Sequence, residues 1–230
     1  DYQNIDRVIS QWQASRKLKF NNRIEKFNNY TPRNINKKYK CAFIHIPKTG
    51  GTTIEILLFG SNKKNPNAEH LSIDNYSRFY DFFIFSFVRN PYTRIISVYN
   101  YYKNGGDKSE KDKKLLNKEC NLNNFLEFHN KNNMFHLKSQ HSFLKKSKNI
   151  NYIAKFENFE KELNKILKII NFKQTNSIQK HRKTNYIDYL IKPTLIDKIN
   201  NIYKDDFKYY NYKMITINKS MKLSEFTELL

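Results

Sequence analysis

A chain of 230 residues is long enough for one sizeable hydrophobic core. Its 39% hydrophobic and 15% aromatic content excludes a disordered polypeptide, and its two cysteines, Cys41 and Cys120, exclude a disulfide scaffold and a paired-cysteine zinc site. Lys and Arg number 42 against 21 Asp and Glu, and the formal charge of +21 points to an anionic partner: a nucleotide, an acidic glycan, a nucleic acid or an acidic membrane. Abundant Lys and Asn also fit a plain compositional bias, and charge runs are commonly solvated faces.

Residues 1 to about 30 read as an amphipathic helix with Ile5, Val8, Ile9 and Trp12 on one face. With the basic Lys37, Lys38 and Lys40 they form an N-terminal helical extension over 1–40, suited to a domain edge or a dimer contact. From Ala42 the chain becomes a short apolar run, breaks at Pro47 and Gly50-Gly51, and resumes with helical spacing through Leu58. A strand, a glycine turn and a helix N-terminus form an anion site, because glycines admit close backbone approach and unpaired N–H groups meet the positive helix end. Lys48 adds a charge, and Thr52 and Thr53 add hydroxyl donors. The order P-K-T-G-G-T-T differs from the nucleotide triphosphate loop, where the lysine follows the glycines and a Ser/Thr holds magnesium.

Ser61 to Asn67 is a polar linker that delivers His70. Phe82 to Val88 is a second buried strand, and Pro91 stands where a helix begins. A magnesium-dependent phosphotransferase would place an acid at that strand end. Here Arg89 stands there, with Arg94 and Ser97 on the helix that follows, all three able to face one anion. The predicted site is built of cations and hydroxyls, with no metal.

Lys103 to Lys118 reads as a surface insertion on the substrate side, and Leu122 to His129 as a short helix. Asn151 to Phe156 is a third strand, followed by a helix over Phe159 to Ile170 with an apolar stripe of Leu163, Ile166, Leu167 and Ile170. Pro193 opens another helix through Ile202, and the residues from 215 onward read as a C-terminal tail. Strands alternating with helices call for an α/β fold with a central, mostly parallel sheet flanked by helices, which binds ligands at the carboxyl ends of its strands.

The run from Ile44 to Ile54, I-H-I-P-K-T-G-G-T-T-I, and the run from Phe87 to Tyr102, F-V-R-N-P-Y-T-R-I-I-S-V-Y-N-Y-Y, resemble the two cofactor motifs of the sulfotransferases. The nearest branch is the carbohydrate sulfotransferases, which include heparan sulfate 2-O-sulfotransferase and bacterial relatives. Later pieces are similar too: His136 to Gln140, Phe156 to Phe159, His181 to Thr184 and Tyr203 to Phe207. The likeness covers roughly residues 40 to 212, and two motifs in the right order are a specific signal. The domain is accordingly expected over 41–214, with a P-loop-like three-layer fold.

The resemblance implies the donor 3′-phosphoadenosine 5′-phosphosulfate (PAPS), released as PAP. It implies that Lys48, Thr49, Gly50, Gly51, Thr52 and Thr53 bind the 5′-phosphosulfate, that Arg89 and Ser97 bind the 3′-phosphate, and that Arg182, Lys183 and Thr184 close over the nucleotide. It also implies that Lys48 and His70 are catalytic, His70 as the base, for which a near-neutral pKa suits histidine. Glu55 is the rival base, since it shares a helix face with Thr52. Glu55, His136, Gln140 and His141 are the candidate substrate-side groups, and His45 reads as a packing or hydrogen-bonding residue within the strand. The acceptor is expected to be a glycan hydroxyl; no nucleic acid is expected and a homo-oligomer is left open. No apolar run reaches membrane-spanning length and no signal peptide opens the chain, so a cytoplasmic location is expected, a Golgi-lumenal domain without its anchor being the alternative. A nucleotide kinase and a basic nucleic-acid-binding module are the competing readings; the first lacks the phosphate-loop order, the second any binding motif.

Overall fold

The computed structural model describes residues 32–60, 69–106, 120–130, 134–145, 149–173 and 187–230. The expected N-terminal helix, the 61–67 linker, most of the 103–118 insertion and the Arg182-Lys183-Thr184 run lie outside the described residues. The chain divides into two compact units, one of residues 1–88 and 142–181, the other of 89–141 and 182–230.

The first unit is built on a four-stranded sheet in the order β1 (Ile35–Asn36), β2 (Cys41–Ile44), β3 (Phe83–Val88), β4 (Tyr152–Lys155). β2 pairs parallel with β3, and β3 parallel with β4; β1, within the stretch expected as a helical extension, is instead an antiparallel edge strand, paired through Ile35 with Ala42 and Asn36 with Cys41. Every residue of β2 and β3 is buried, the state of central parallel strands covered on both faces, and this is why both read as unbroken apolar runs. Ser86 is the one hydroxyl within β3, and it donates to the carbonyl of Ile44 at 2.8 Å, so no polar group is stranded there. Parallel pairing needs a crossover, and after β2 the chain forms helix α1 (Gly51–Phe59). β4 starts one residue later than the apolar run suggests, because Asn151 bonds the backbone of Ile84 with both its N–H and its side-chain oxygen.

Helix α5 (Phe159–Ile169) carries the expected stripe: Leu163, Ile166, Leu167 and the following Ile170 are all buried, in one cluster with Cys41, Phe43, Phe83, Phe85 and Phe87 of the sheet. Ring pairs continue through this core, with Phe43 and Phe85 centroids 5.2 Å apart and Phe87 and Phe159 5.1 Å apart.

The second unit is organised around helix α2 (Pro91–Lys103), with Pro91 in its first turn and Asn90 as N-cap, its side chain accepting from the Tyr92 N–H at 3.0 Å. Ten of its thirteen residues are buried, as befits a helix surrounded by other elements. Its cluster draws on helices α3 (Phe125–Asn130), α6 (Pro193–Ile202) and α7 (Lys204–Tyr209), and on the two-stranded ribbon of β5 (Leu190–Ile191) and β6 (Met221–Lys222). α4 (Gln140–Leu144) begins in this unit and ends in the first. α3 starts at Phe125, later than Leu122, because Asn121 takes up the N–H of Asn123 at 2.9 Å and gives its own N–H to Asn124 at 2.7 Å, a turn that competes with helix.

The residues expected to form a C-terminal tail instead complete this core. β6 pairs with β5, α8 (Leu223–Thr227) follows, and Ile215, Ile217, Leu223 and Phe226 are buried. Four apolar residues scattered among polar ones do not announce burial in sequence; they join the cluster around α2, where the Tyr92 ring meets Phe226 edge-on at 5.3 Å. No helix among the described residues is long and apolar enough to cross a membrane.

Candidate active site

β2 delivers the first group of site residues. The chain leaves it at Ile44, so His45 stands just beyond the strand and not within it. Lys48 follows at a φ of 68°, a left-handed conformation that is unfavourable for a residue with a side chain and clusters at functional sites. Gly50 has a φ of 88°, and a Cβ there would come within 2.7 Å of the Phe159 ring and 3.0 Å of the Phe156 ring. Gly51 is required for a different reason, since a Cβ would fall 2.0 Å from Nε2 of His45. Both glycines are thus demanded by the protein's own packing.

Thr49 is fully buried and its hydroxyl donates to the Ile46 carbonyl at 2.8 Å, so it shapes the loop instead of presenting a hydroxyl to a ligand. Thr52 and Thr53 are half-buried in the first turn of α1. That turn has no side-chain cap and no acidic residue, so the positive end of a nine-residue helix is left without a built-in counter-charge.

His70, Glu55 and His45 converge in the same unit. Nδ1 of His70 lies 3.0 Å from the carbonyl oxygen of His45. A carbonyl only accepts, so Nδ1 carries the proton and the lone pair of the neutral ring sits on Nε2. Glu55, the rival base and a candidate substrate group, is fully buried; Oε1 contacts Nδ1 of His45 at 2.7 Å and accepts the Glu69 N–H at 3.4 Å. It reaches His45 and the chain beside His70, and its burial takes it away from a solvent-borne substrate. The His45 and His70 rings lie 4.2 Å apart. Burial pushes the neighbouring Glu69 carboxyl above its ordinary range, against the pull of the Arg33 and Asn34 backbone.

The second unit holds Arg89 and Ser97. Arg89 follows β3 directly, its Nε donating to Thr93 Oγ1 at 3.1 Å, and Ser97 is buried on α2. Arg94, expected to share an anion with Arg89, is wholly buried: Nη2 donates to the carbonyls of His136 at 3.0 Å and Lys138 at 2.9 Å. Its place in the helix turns it into the core, where it holds a loop. Gln140, a candidate substrate group, is likewise fully buried and is bonded to the Arg89 backbone. His141 is half-buried, stacked on Tyr209 with ring centroids 4.1 Å apart, and His136 meets the Tyr102 hydroxyl through Nδ1 at 2.6 Å. Among the described residues no group of His, Cys, Asp and Glu could hold a metal ion.

Two relationships were not legible in the sequence. The His45–Glu55 contact spans ten residues across a turn, and the Arg89–Gln140 contact spans fifty-one; neither spacing marks a pair.

A parallel strand passing through a glycine turn into an uncapped helix N-terminus, beside a lysine, is in α/β proteins the geometry that suits an anion. The sequence model of the sulfotransferase family matches residues 32–213, and the chain belongs to that family. It is therefore a transferase of sulfuryl groups. No curated protein and no solved structure matches the chain.

Proposed function

We propose that the chain transfers the sulfuryl group of PAPS to a carbohydrate hydroxyl, with His70 as general base. One observation carries this reading: the N-terminus of α1 has no side-chain cap and no acid in its first turn, and Lys48 precedes it in a strained left-handed conformation. Such a terminus suits a strongly anionic group, and a phosphosulfate is one.

PAPS supplies a sulfuryl group already joined to a phosphate leaving group. Lys48 neutralises the charge that grows on the bridging oxygen as its bond to sulfur breaks. The α1 N–H groups and the hydroxyls of Thr52 and Thr53 donate to the same phosphate. His70, with Nδ1–H held by the His45 carbonyl, takes the acceptor proton on Nε2 as the new oxygen–sulfur bond forms. Arg89 and Ser97 are assigned to the 3′-phosphate, and Arg182, Lys183 and Thr184 to closure over the nucleotide. The formal charge of +21 favours an acidic glycan as acceptor.

The test compares thermal stabilisation by PAP, by ATP with magnesium and by single-stranded RNA, followed by sulfate transfer from PAPS across a panel of glycans and small hydroxyl compounds. Stabilisation by PAP alone, undiminished in EDTA, is expected, with transfer to a glycan. Arg89→Ala should cost PAP roughly 1.5–3 kcal/mol and adenosine 5′-phosphosulfate much less. Preferential stabilisation by ATP with magnesium or by RNA would overturn the proposal.

A further inference from the structure

The buried pair beneath His70 has a chemistry that the proposed transfer does not use. Glu55 is fully buried, and Oε2 has no hydrogen-bond partner among the described residues, while Oε1 serves both Nδ1 of His45 and the N–H of Glu69. A buried carboxylate is costly, so a position that retains one calls for a role. His45 is itself buried and held on three sides: Glu55 at Nδ1, Gly51 against Nε2, and the Phe43 ring stacked at 5.4 Å. Nδ1 is therefore taken up by Glu55, and the Nε2 edge packs closely on Gly51.

His70 is positioned through the same two residues. Its Nδ1–H rests on the backbone carbonyl of His45, its ring lies 4.2 Å from the His45 ring, and the residue before it is tied by its N–H to Glu55 and by its carbonyl to Nδ2 of Asn34 at 3.1 Å. Glu55 thus reaches His70 by two routes, through His45 and through the Glu69 backbone.

We propose that Glu55 and His45 are a positioning pair that fixes the ring orientation and the Nδ1–H tautomer of His70, and that Glu55 is not a second base. The inference rests on the reading of His70 as the base. The outer partners that orient metal-bound imidazoles are worth about 10–100-fold, the scale expected for the His70 ring, and a wrong tautomer removes the lone pair from the nitrogen that needs it.

The experiment uses the full chain and three readouts: the nitrogen-15 imidazole spectrum of His70, PAP affinity by calorimetry, and the single-turnover rate with PAPS. In the unmodified protein the spectrum should show His70 as the Nδ1–H tautomer; a dominant Nε2–H form would overturn the proposal without any variant. Glu55→Gln keeps an acceptor for His45 and Glu69, and should keep the tautomer and nearly all of the rate. Glu55→Leu removes the acceptor, and should mix the tautomers and lower the rate about 10–100-fold while PAP affinity stays unchanged. A loss of more than a hundredfold in Glu55→Gln with the tautomer intact would make Glu55 the base and overturn the inference. Equal loss of PAP affinity and rate in Glu55→Leu, with His70 unmoved in the spectrum, would make the pair merely structural and also overturn it. The spectra need no turnover, so a chain that transfers no sulfate would sink the proposed function while the tautomer still decides the positioning.

Discussion

Gln140 brackets the peptide of Arg89 from both sides: its Oε1 accepts the Arg89 N–H at 2.8 Å and its Nε2 donates to the Arg89 carbonyl at 2.7 Å. Gln140 is anchored in turn, with Asp206 accepting the N–H groups of Gln140 at 2.9 Å and His141 at 2.8 Å. Burial pushes the Asp206 carboxyl up while the charge of Arg94 pulls it down, so this is a buried charged network around the residue assigned to the 3′-phosphate.

Gln140→Ala should leave two backbone groups of Arg89 without their partner and cost roughly 1–3 kcal/mol in stability. With Arg89 released, PAP affinity should fall about tenfold, equivalent to about 1.4 kcal/mol, and affinity for adenosine 5′-phosphosulfate should fall less. Calorimetry with both nucleotides checks this, and equal losses would break the link between Gln140 and the 3′-phosphate.

The two glycines of the loop make separable predictions. Gly51 opens α1 at an ordinary helical position, where alanine would by propensity be better by about 1 kcal/mol. The clash with Nε2 of His45 reverses that sign, and overpacking of this kind costs about 1–3 kcal/mol. Gly51→Ala should therefore destabilise the protein alone and become neutral or stabilising in a His45→Ala background, a coupling that urea denaturation of the four chains measures. Equal destabilisation in both backgrounds would show that His45 is not what demands a glycine there.

Phe226 tests the packing of the C-terminal residues. It is fully buried against Tyr92 in the second unit, and Phe226→Ala should cost about 3–5 kcal/mol. Chemical denaturation would read this as a large drop in midpoint. A loss under about 0.5 kcal/mol, typical of surface positions, would return residues 215–230 to the status of a tail.

The alkaline limit of stability follows from buried acids. Burial pushes the Cys41 thiol from 9.0 up to about 12, and pushes the phenols of Tyr76, Tyr152, Tyr203 and Tyr210 well above their ordinary 10.0. Folded chains hold these protons where unfolded chains release them, so this stabilisation is complete below the unfolded values and is lost as pH rises through the folded ones. Urea midpoints should be flat up to about pH 9 and fall steeply above it. Thiol reagents should leave Cys41 untouched in the folded chain and modify it only on unfolding.

The sequence by itself determined the order of the first unit's parallel strands and of the helices that follow them, though not the edge strand β1. Cys41–Ile44 and Phe83–Val88 are apolar on both faces because parallel central strands are covered on both faces, and that state is written in every residue. The stripe of α5 and the proline start of α2 are equally local. The turn at Lys48, Gly50 and Gly51 and the strand end before Arg89 were legible because turn chemistry and strand ends are set by neighbours in the chain.

Only the tertiary structure decided what each polar side chain near the site faces. Glu55 meets His45 because α1 folds back over the end of β2, Arg94 enters the core because α2 is covered nearly all round, and Gln140 reaches Arg89 because the fold closes a loop of fifty-one residues. The same holds for residues 215–230, where Ile217, Leu223 and Phe226 become core only when the rest of the second unit's cluster supplies the other side. A buried polar group is defined by its partner, and a partner distant in sequence leaves no periodicity to read.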